Sequence, residues 1–130
     1  MSRVNKYRGV HIHVHPQNEH INGTWIYGYL SDENYINSID LNGEFLVDKD
    51  TVGQYIGVDD KNGKEIYEKD IARVDGKQEL FVVMWVPDTA RFGLQSKSEL
   101  LYFEFGIGSR VEVIGNVYEN ADLLKEAGNE

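Results

Sequence analysis

Three histidines alternate with apolar residues near the start of the chain. They are His11, His13 and His15. In a β-strand such alternate side chains share one face and lie about 7 Å apart. Two imidazoles at this spacing can chelate zinc or a similar cation if Glu19, His20 or a distant carboxylate supplies a third ligand. A polar, solvent-facing strand surface opposite Ile12 and Val14 explains the same pattern, as does a contact that depends on histidine protonation. We therefore predict that the protein holds no metal. If it does hold one, His11, His13 and His15 are the candidate ligands.

A second segment resembles known ligand-binding loops only superficially. Residues 57–65 read GVDDKNGKE. As a phosphate-binding loop, the segment has its glycines one residue too far apart, and Glu65 replaces the hydroxyl that would hold magnesium. As a calcium loop with Gly63 at its sharp turn, it would have Val58 as its first ligand and Lys69 as its last. The segment is instead typical of a β-turn.

Catalysis through a nucleophile also lacks the necessary residues. The chain contains no cysteine, which excludes a thiol nucleophile, a thiolate zinc site and a disulfide. No serine lies on a Gly-x-Ser-x-Gly turn. The adjacent acids Asp32-Glu33 and Asp59-Asp60 would point to opposite faces of a strand. The sequence thus predicts a protein that is not an enzyme and that uses no cofactor.

The charge of the chain is strongly negative and uneven. The formal net charge is -9, which opposes attraction to phosphate backbones. Acidic residues concentrate in 32–60 and in 99–130. Such zones are solvated surface, docking sites for a basic partner, or imitations of nucleic acid. No stretch approaches the roughly 20 apolar residues that cross a bilayer, and no signal peptide is evident at the start. We predict a cytoplasmic protein without membrane contact.

Two aromatic groups have a spacing that suits either packing or binding. Trp25, Tyr27 and Tyr29 fall on one face of a predicted strand, and residues 102–105 read YFEF. Aromatic rings on an open sheet can stack on bases or peptides. Core packing is the simpler interpretation, because few basic residues lie among these rings.

Alternation with a period of two recurs along the chain and predicts strands. The predicted strands lie at 6–14, 24–31, 35–41, 44–47, 52–58, 71–74, 77–86, 91–94, 100–105 and 111–117. Asn42-Gly43 predicts a hairpin with a type I′ turn, and Asp75-Gly76 predicts another hairpin. Residues 59–63 predict a tight reversal. Only the tail predicts a helix, at 120–127, with Asn120 as its N-cap.

Three stretches of this sequence together resemble the YopX family of small phage and prophage proteins. They are KYRG at 6–9 with WIYG at 25–28, VGQYIGVDDKNGKEIYEKDI at 52–71, and VIGNVYEN at 113–120. The central stretch is the most specific. Lys69 stands where the family usually has glycine, and Ala121 where it often has proline. The histidine-rich segment 10–20 is longer than expected for the family.

The resemblance implies a mainly β fold with a small SH3-like barrel in the middle and C-terminal parts. Combined with the strand pattern, it predicts one YopX-like domain over residues 1–130. An added N-terminal β-hairpin layer would take up about 1–50, the barrel about 52–117, and the short helix 120–127. The resemblance also implies a phage-encoded protein inside a bacterial host, and it implies no established activity.

These observations leave two functions open. The first is a phage accessory protein that contacts an unknown protein partner of the host or phage. The second is a small β-barrel module that binds nucleic acid, which the negative charge disfavours. A small β-protein with an exposed strand edge can also form a homo-oligomer.

Overall fold

Strands make up most of the computed structural model, which describes residues 6–12, 23–38, 40–104 and 106–126. The strands are β1 Tyr7–Val10, β2 Trp25–Asp32, β3 Tyr35–Ser38, β4 Gly43–Leu46, β5 Gly53–Asp59, β6 Glu65–Tyr67, β7 Asp70–Val74, β8 Phe81–Val86, β9 Arg91–Gln95, β10 Leu100–Tyr102 and β11 Val111–Asn116. The helix α1 spans Ala121–Glu126, and 3-10 helices span Lys49–Thr51 and Ile107–Arg110. The predictions of a mainly β fold and of a short C-terminal helix are confirmed.

The strands form two antiparallel sheets. One has the order β4-β3-β2-β1-β5-β6, and the other has the order β10-β9-β8-β7-β11. The small barrel expected over 52–117 is not closed in the part of the chain that the structure describes, because β10 and β11 remain the two edges of the second sheet. Lys61 and Asp60 lie against the outer edge of β11: the Lys61 N–H donates to the Val111 carbonyl, and the Val113 N–H donates to the Asp60 carboxylate.

The chain forms two compact units, Met1–Tyr55 and Ile56–Glu130. The core of the first unit contains Ile26, Ile36 and Val47, with Tyr7, Phe45 and Val52 packed against it. The core of the second contains Ile66, Ala72, Val74, Phe81, Val83, Leu94, Val111 and Val113. Burying one large apolar side chain contributes about 1.5–3 kcal/mol, so packing of these side chains is the main source of stability in a chain without disulfides.

The predicted hairpin around Asn42-Gly43 is confirmed, but its turn type is wrong. Strands β3 and β4 pair with Ser38 opposite Gly43, so the connection is four residues long, 39–42, and Gly43 belongs to the strand. Asn42 has a positive φ of 54°, whereas a type I′ turn needs two such residues. The Ser38 hydroxyl accepts the Leu41 N–H at 3.1 Å, which stabilises the longer loop.

The helix begins where predicted, yet Asn120 does not cap it with its side chain. The Asn120 Oδ1 accepts the N–H of Asn116, at 3.1 Å, and only its backbone carbonyl accepts a helical N–H, from Leu123. The N-cap prediction is therefore wrong for the side chain. The hydrogen bond between the Asn120 side chain and the Asn116 N–H instead joins the start of the helix to the end of β11.

Candidate functional site

His11 is buried, so the prediction that the histidines face solvent is wrong at this position. Its side chain is 2% exposed, while Ile12 is 40% exposed. The ring Nδ1 lies 2.7 Å from the Leu46 carbonyl oxygen, and the ring meets Phe45 edge to face at 5.5 Å. His11 pairs with Val47 by a single bridge, which turns its side chain inward.

The other candidate ligands fall in a part of the chain that the structure does not describe. These are His13, His15, Glu19 and His20. Among residues 6–12, 23–38, 40–104 and 106–126, no group of three His, Cys, Asp or Glu side chains could hold a metal ion. That the histidines hold no metal stays a prediction, and the one candidate ligand within the described residues, His11, has a structural hydrogen bond.

The 59–63 reversal is confirmed, and Asp60 holds it in place. One carboxylate oxygen of Asp60 accepts the N–H groups of Asn62 and Lys64, each at 2.9 Å. The other accepts the buried N–H of Val113, also at 2.9 Å. Burial would raise the pKa of Asp60, but these three donors outweigh it, so its pKa lies below the ordinary 3.8. Asp60 is therefore a structural residue that ties the turn to β11.

Ser96 and Ser98 also have a structural role in the second unit. Both hydroxyls donate to the Glu79 carboxylate, that of Ser96 at 2.8 Å. The bonds from Ser98 and Ser96 lower the pKa of Glu79. These two hydrogen bonds join the turn between β9 and β10 to the loop before β8.

Aromatic and polar side chains share the face of the first sheet that is opposite its core. Tyr29 lies opposite Asn37, which lies opposite Glu44, and Tyr35 lies opposite Leu46. Directly opposed residues share a face, and Trp25 and Tyr27 precede Tyr29 by two-residue steps. We call this set the aromatic face; it comprises Trp25, Tyr27, Tyr29, Tyr35, Asn37, Glu44 and Leu46.

The core prediction for the aromatic stripe is wrong at Tyr29. The core residues of β2 and β3 are Ile26 and Ile36, 1% and 0% exposed, whereas Tyr29 is 53% exposed. Trp25 and Tyr27 are half-buried. Exposure of the rings thus increases along β2 toward the turn that leads into β3.

The two ends of the aromatic face differ in charge. At one end the buried Arg8 places its guanidinium 4.7 Å from the centre of the Trp25 ring. At the other end, the β2–β3 and β3–β4 hairpins carry four exposed acids, which are Asp32, Glu33, Asp40 and Glu44. Glu44 accepts the Ser31 hydroxyl at 2.6 Å, and Asp32 accepts the Glu33 N–H at 2.7 Å. None of the four forms an ion pair within the described ranges.

Sequence reasoning missed that Tyr35 and Glu44 belong with the aromatic stripe. The signal was present in the β3–β4 hairpin, because register determines which residues are opposed. The expected two-residue turn would place Leu41 opposite Glu44, whereas Asn37 lies there. Both registers put Tyr35 and Glu44 on one face. Of the second aromatic group, Tyr102 stacks under the Arg91 guanidinium at 4.1 Å, and Phe103 packs against the core. Phe105 lies outside the described residues.

The fold and this surface define a mainly β protein of two units with an exposed acidic and aromatic sheet face. A family model described as YopX protein matches residues 5–125, and the chain belongs to the YopX family. No curated protein matches the chain. In the described ranges, no helix has the length and apolar character needed to span a membrane.

The stretches that carry the family resemblance include residues with structural roles. Asp60 holds its turn, and the Asp70 carboxylate accepts the Tyr67 N–H at 2.8 Å. Lys69 has a φ of 73°, a left-handed conformation that glycine adopts without strain. Glycine at this position would therefore relieve a strained backbone. These residues shape the fold, so a binding function must be sought on exposed surface.

Proposed function

We propose that this protein is a phage or prophage accessory protein, active in the bacterial cytoplasm, that docks a basic partner protein on its aromatic face. The observation that carries the proposal is the exposure of Tyr29 and Tyr35 beside four carboxylates without ion pairs in the described part of the chain. Tyrosine is enriched among residues that dominate binding energy. Unneutralised carboxylates select and steer a partner of opposite charge.

The sheet beneath the face supports this proposal. Tyr29 and Tyr35 stand on paired strands above the Ile26 and Ile36 core, so their backbone positions are fixed before binding. A preorganised surface loses less conformational entropy when a partner docks.

We further propose that the second unit is SH3-like. The order β10-β9-β8-β7-β11 supports this, since the first strand of the unit's five-stranded sheet pairs with the last. The 3-10 helix Ile107–Arg110 directly before β11 is also consistent with it.

Removing one ring from the aromatic face and reversing one charge is expected to weaken partner binding about 30-fold, the effect of a hot spot of about 2 kcal/mol. The variant is Tyr29→Ala with Glu44→Lys. Full-length chain captures partners from prophage-carrying cells, and titration with the purified partner measures the affinity. The matched control, Trp85→Ala with Asp88→Lys, makes equivalent changes in the second unit. Equal affinity of the two double variants would exclude the aromatic face as the docking site.

Single-stranded nucleic acid is the second candidate, because the exposed rings of Tyr29 and Tyr35 can stack on bases. Arg8, whose guanidinium lies over the Trp25 ring, is only 4% exposed and does not reach phosphate. The carboxylates along the rest of the face repel phosphate. Glu44→Lys therefore has opposite effects on the two functions.

Protein docking predicts that the wild type does not retard single-stranded DNA in a mobility-shift assay at about 150 mM salt. Glu44→Lys would then weaken protein binding and leave DNA unbound. Retardation of wild-type complexes that strengthens in Glu44→Lys and fades as salt rises would instead assign the face to nucleic acid.

A further inference from the structure

Strand β10 exposes one edge of the sheet in the second unit. Among the strands that the structure describes, it pairs only with β9, with Leu100 opposite Gln95, Leu101 opposite Leu94, and Tyr102 opposite Gly93. The flanking bonds run from the Phe103 N–H to Phe92 and from the Ser96 N–H to Glu99. Since hydrogen-bonded pairs alternate in an antiparallel ladder, Leu101 bonds toward β9. The backbone groups of Leu100 and Tyr102 therefore point outward, where the described residues offer no further strand.

A groove runs beside this edge. It has a volume of about 400 Å³ and is lined by Val74, Lys77, Leu100, Leu101, Tyr102, Glu104, Ile107 and Arg110. The apolar members are aliphatic or aromatic, and the polar members are two cations and one anion. A short extended segment matches this composition, since main-chain bonds bind it to the edge and side chains enter the groove.

Two charged side chains at the groove have no ion-pair partner among the described residues of the same chain. Lys77 pairs with Glu99 at 2.8 Å, and the Arg110 guanidinium donates to the Asp75 carbonyl at 3.0 Å. Neither Arg110 nor the exposed Glu104 forms an ion pair with another described residue. The groove thus contains one cation and one carboxylate available for pairing with an incoming segment.

We propose that the occupant of this groove is β10 of a second copy of the chain, added antiparallel about a two-fold axis at Leu101. Leu100 then faces Tyr102 of the second copy, and the two outward residues of each strand exchange main-chain hydrogen bonds. Because the two strands run in opposite directions, Glu104 of the second copy lies beyond Leu100. It therefore approaches the end of the groove where Lys77 forms an ion pair with Glu99. Arg110 adjoins this end through its bonds to Asp75. A copy of this chain therefore supplies both the strand and the carboxylate that the groove accepts.

The contact is small, because β10 has only three residues. Specific stable interfaces bury about 1,200–2,000 Å², more than a three-residue strand and one groove provide. The dimer is accordingly weak and depends on concentration, and it is symmetric, as most homo-oligomers are.

Sedimentation velocity of the full chain tests the proposal between about 1 μM and 1 mM, a range that covers weak association. The wild type is expected to shift from monomer to dimer with concentration. Glu104→Arg alone and Arg110→Glu alone are each expected to weaken dimerisation about tenfold, and the double variant is expected to restore it. Circular dichroism verifies that each variant is folded.

A second variant tests the edge without changing charge. Leu100→Pro removes one outward N–H and is expected to abolish the dimer, whereas Leu100→Val keeps that N–H and serves as the control. A wild type that stays monomeric throughout the range overturns the proposal. A dimer that persists equally in Glu104→Arg, Arg110→Glu and Leu100→Pro also overturns it, because association would then use another surface.

Discussion

Gly28→Ala is expected to lower the unfolding free energy of the first unit by about 3 kcal/mol or more. A Cβ at position 28 would lie 2.0 Å from the Asn37 carbonyl oxygen and 3.1 Å from the Ser38 Cα. Both are backbone atoms of β3, so no side chain can rotate away and β2 must separate from β3. Urea unfolding followed by Trp25 fluorescence, in a Trp85→Phe background, measures the loss.

Gly43→Ala is the matched control on the same hairpins. Its Cβ would meet the Phe45 ring at 3.5 Å, an ordinary contact, so the unfolding free energy should change by no more than about 0.5 kcal/mol. Similar midpoints for the two variants would show that the close approach of β3 to Gly28 does not limit stability.

Asp60→Ala is expected to cost the second unit about 3 kcal/mol. The substitution removes the acceptor of three N–H groups, including the buried one of Val113. An unsatisfied buried donor loses its bond without recovering water. Urea unfolding followed by Trp85 fluorescence, in a Trp25→Phe background, measures the effect. Asp88→Ala, which removes an exposed carboxylate, should change stability little.

The advantage of wild type over Asp60→Ala should also depend on pH. The folded pKa of Asp60 lies below the ordinary 3.8, so ionisation stabilises the folded state. This stabilisation is fully present well above pH 3.8 and is lost as the pH falls through the folded pKa. The difference in unfolding free energy between wild type and Asp60→Ala should therefore shrink in acid. A difference that stays constant from neutral pH to about pH 2 would contradict this role of the charge.

Gly28 and Asp60 both belong to the stretches that resemble the YopX family. Gly28 approaches Asn37 on the next strand, and Asp60 bonds Val113, which lies 53 residues further along the chain. These stretches therefore preserve close strand approach and turn geometry. The proposed docking residues Tyr29, Tyr35 and Glu44 lie outside these stretches, where the surface can differ without disturbing the fold.

The sequence by itself determined the positions of most strands and turns. Alternation located β2 and β5, Asp75-Gly76 marked the end of β7, and Pro87 marked the end of β8, because side-chain period and turn conformation depend on neighbouring residues. The predicted start of β8 at residue 77 was wrong, since the strand begins at Phe81. It also supplied the family, since the order of short motifs is a linear property. The sequence identified Asp60 only as a turn residue. It did not reveal the bond between the Asp60 carboxylate and the Val113 N–H, because Val113 lies 53 residues further along the chain.

Only the tertiary structure decided which face of each strand is buried. Along β2 the stripe Trp25-Tyr27-Tyr29 and the stripe beginning at Ile26 are equally regular. Pairing with β3 and β4 places Ile26 in the core and leaves Tyr29 exposed. His11 became buried through its bridge to Val47. Alternation defines two faces but cannot say which one a distant strand will cover, because burial depends on partners that the chain brings together only when it folds.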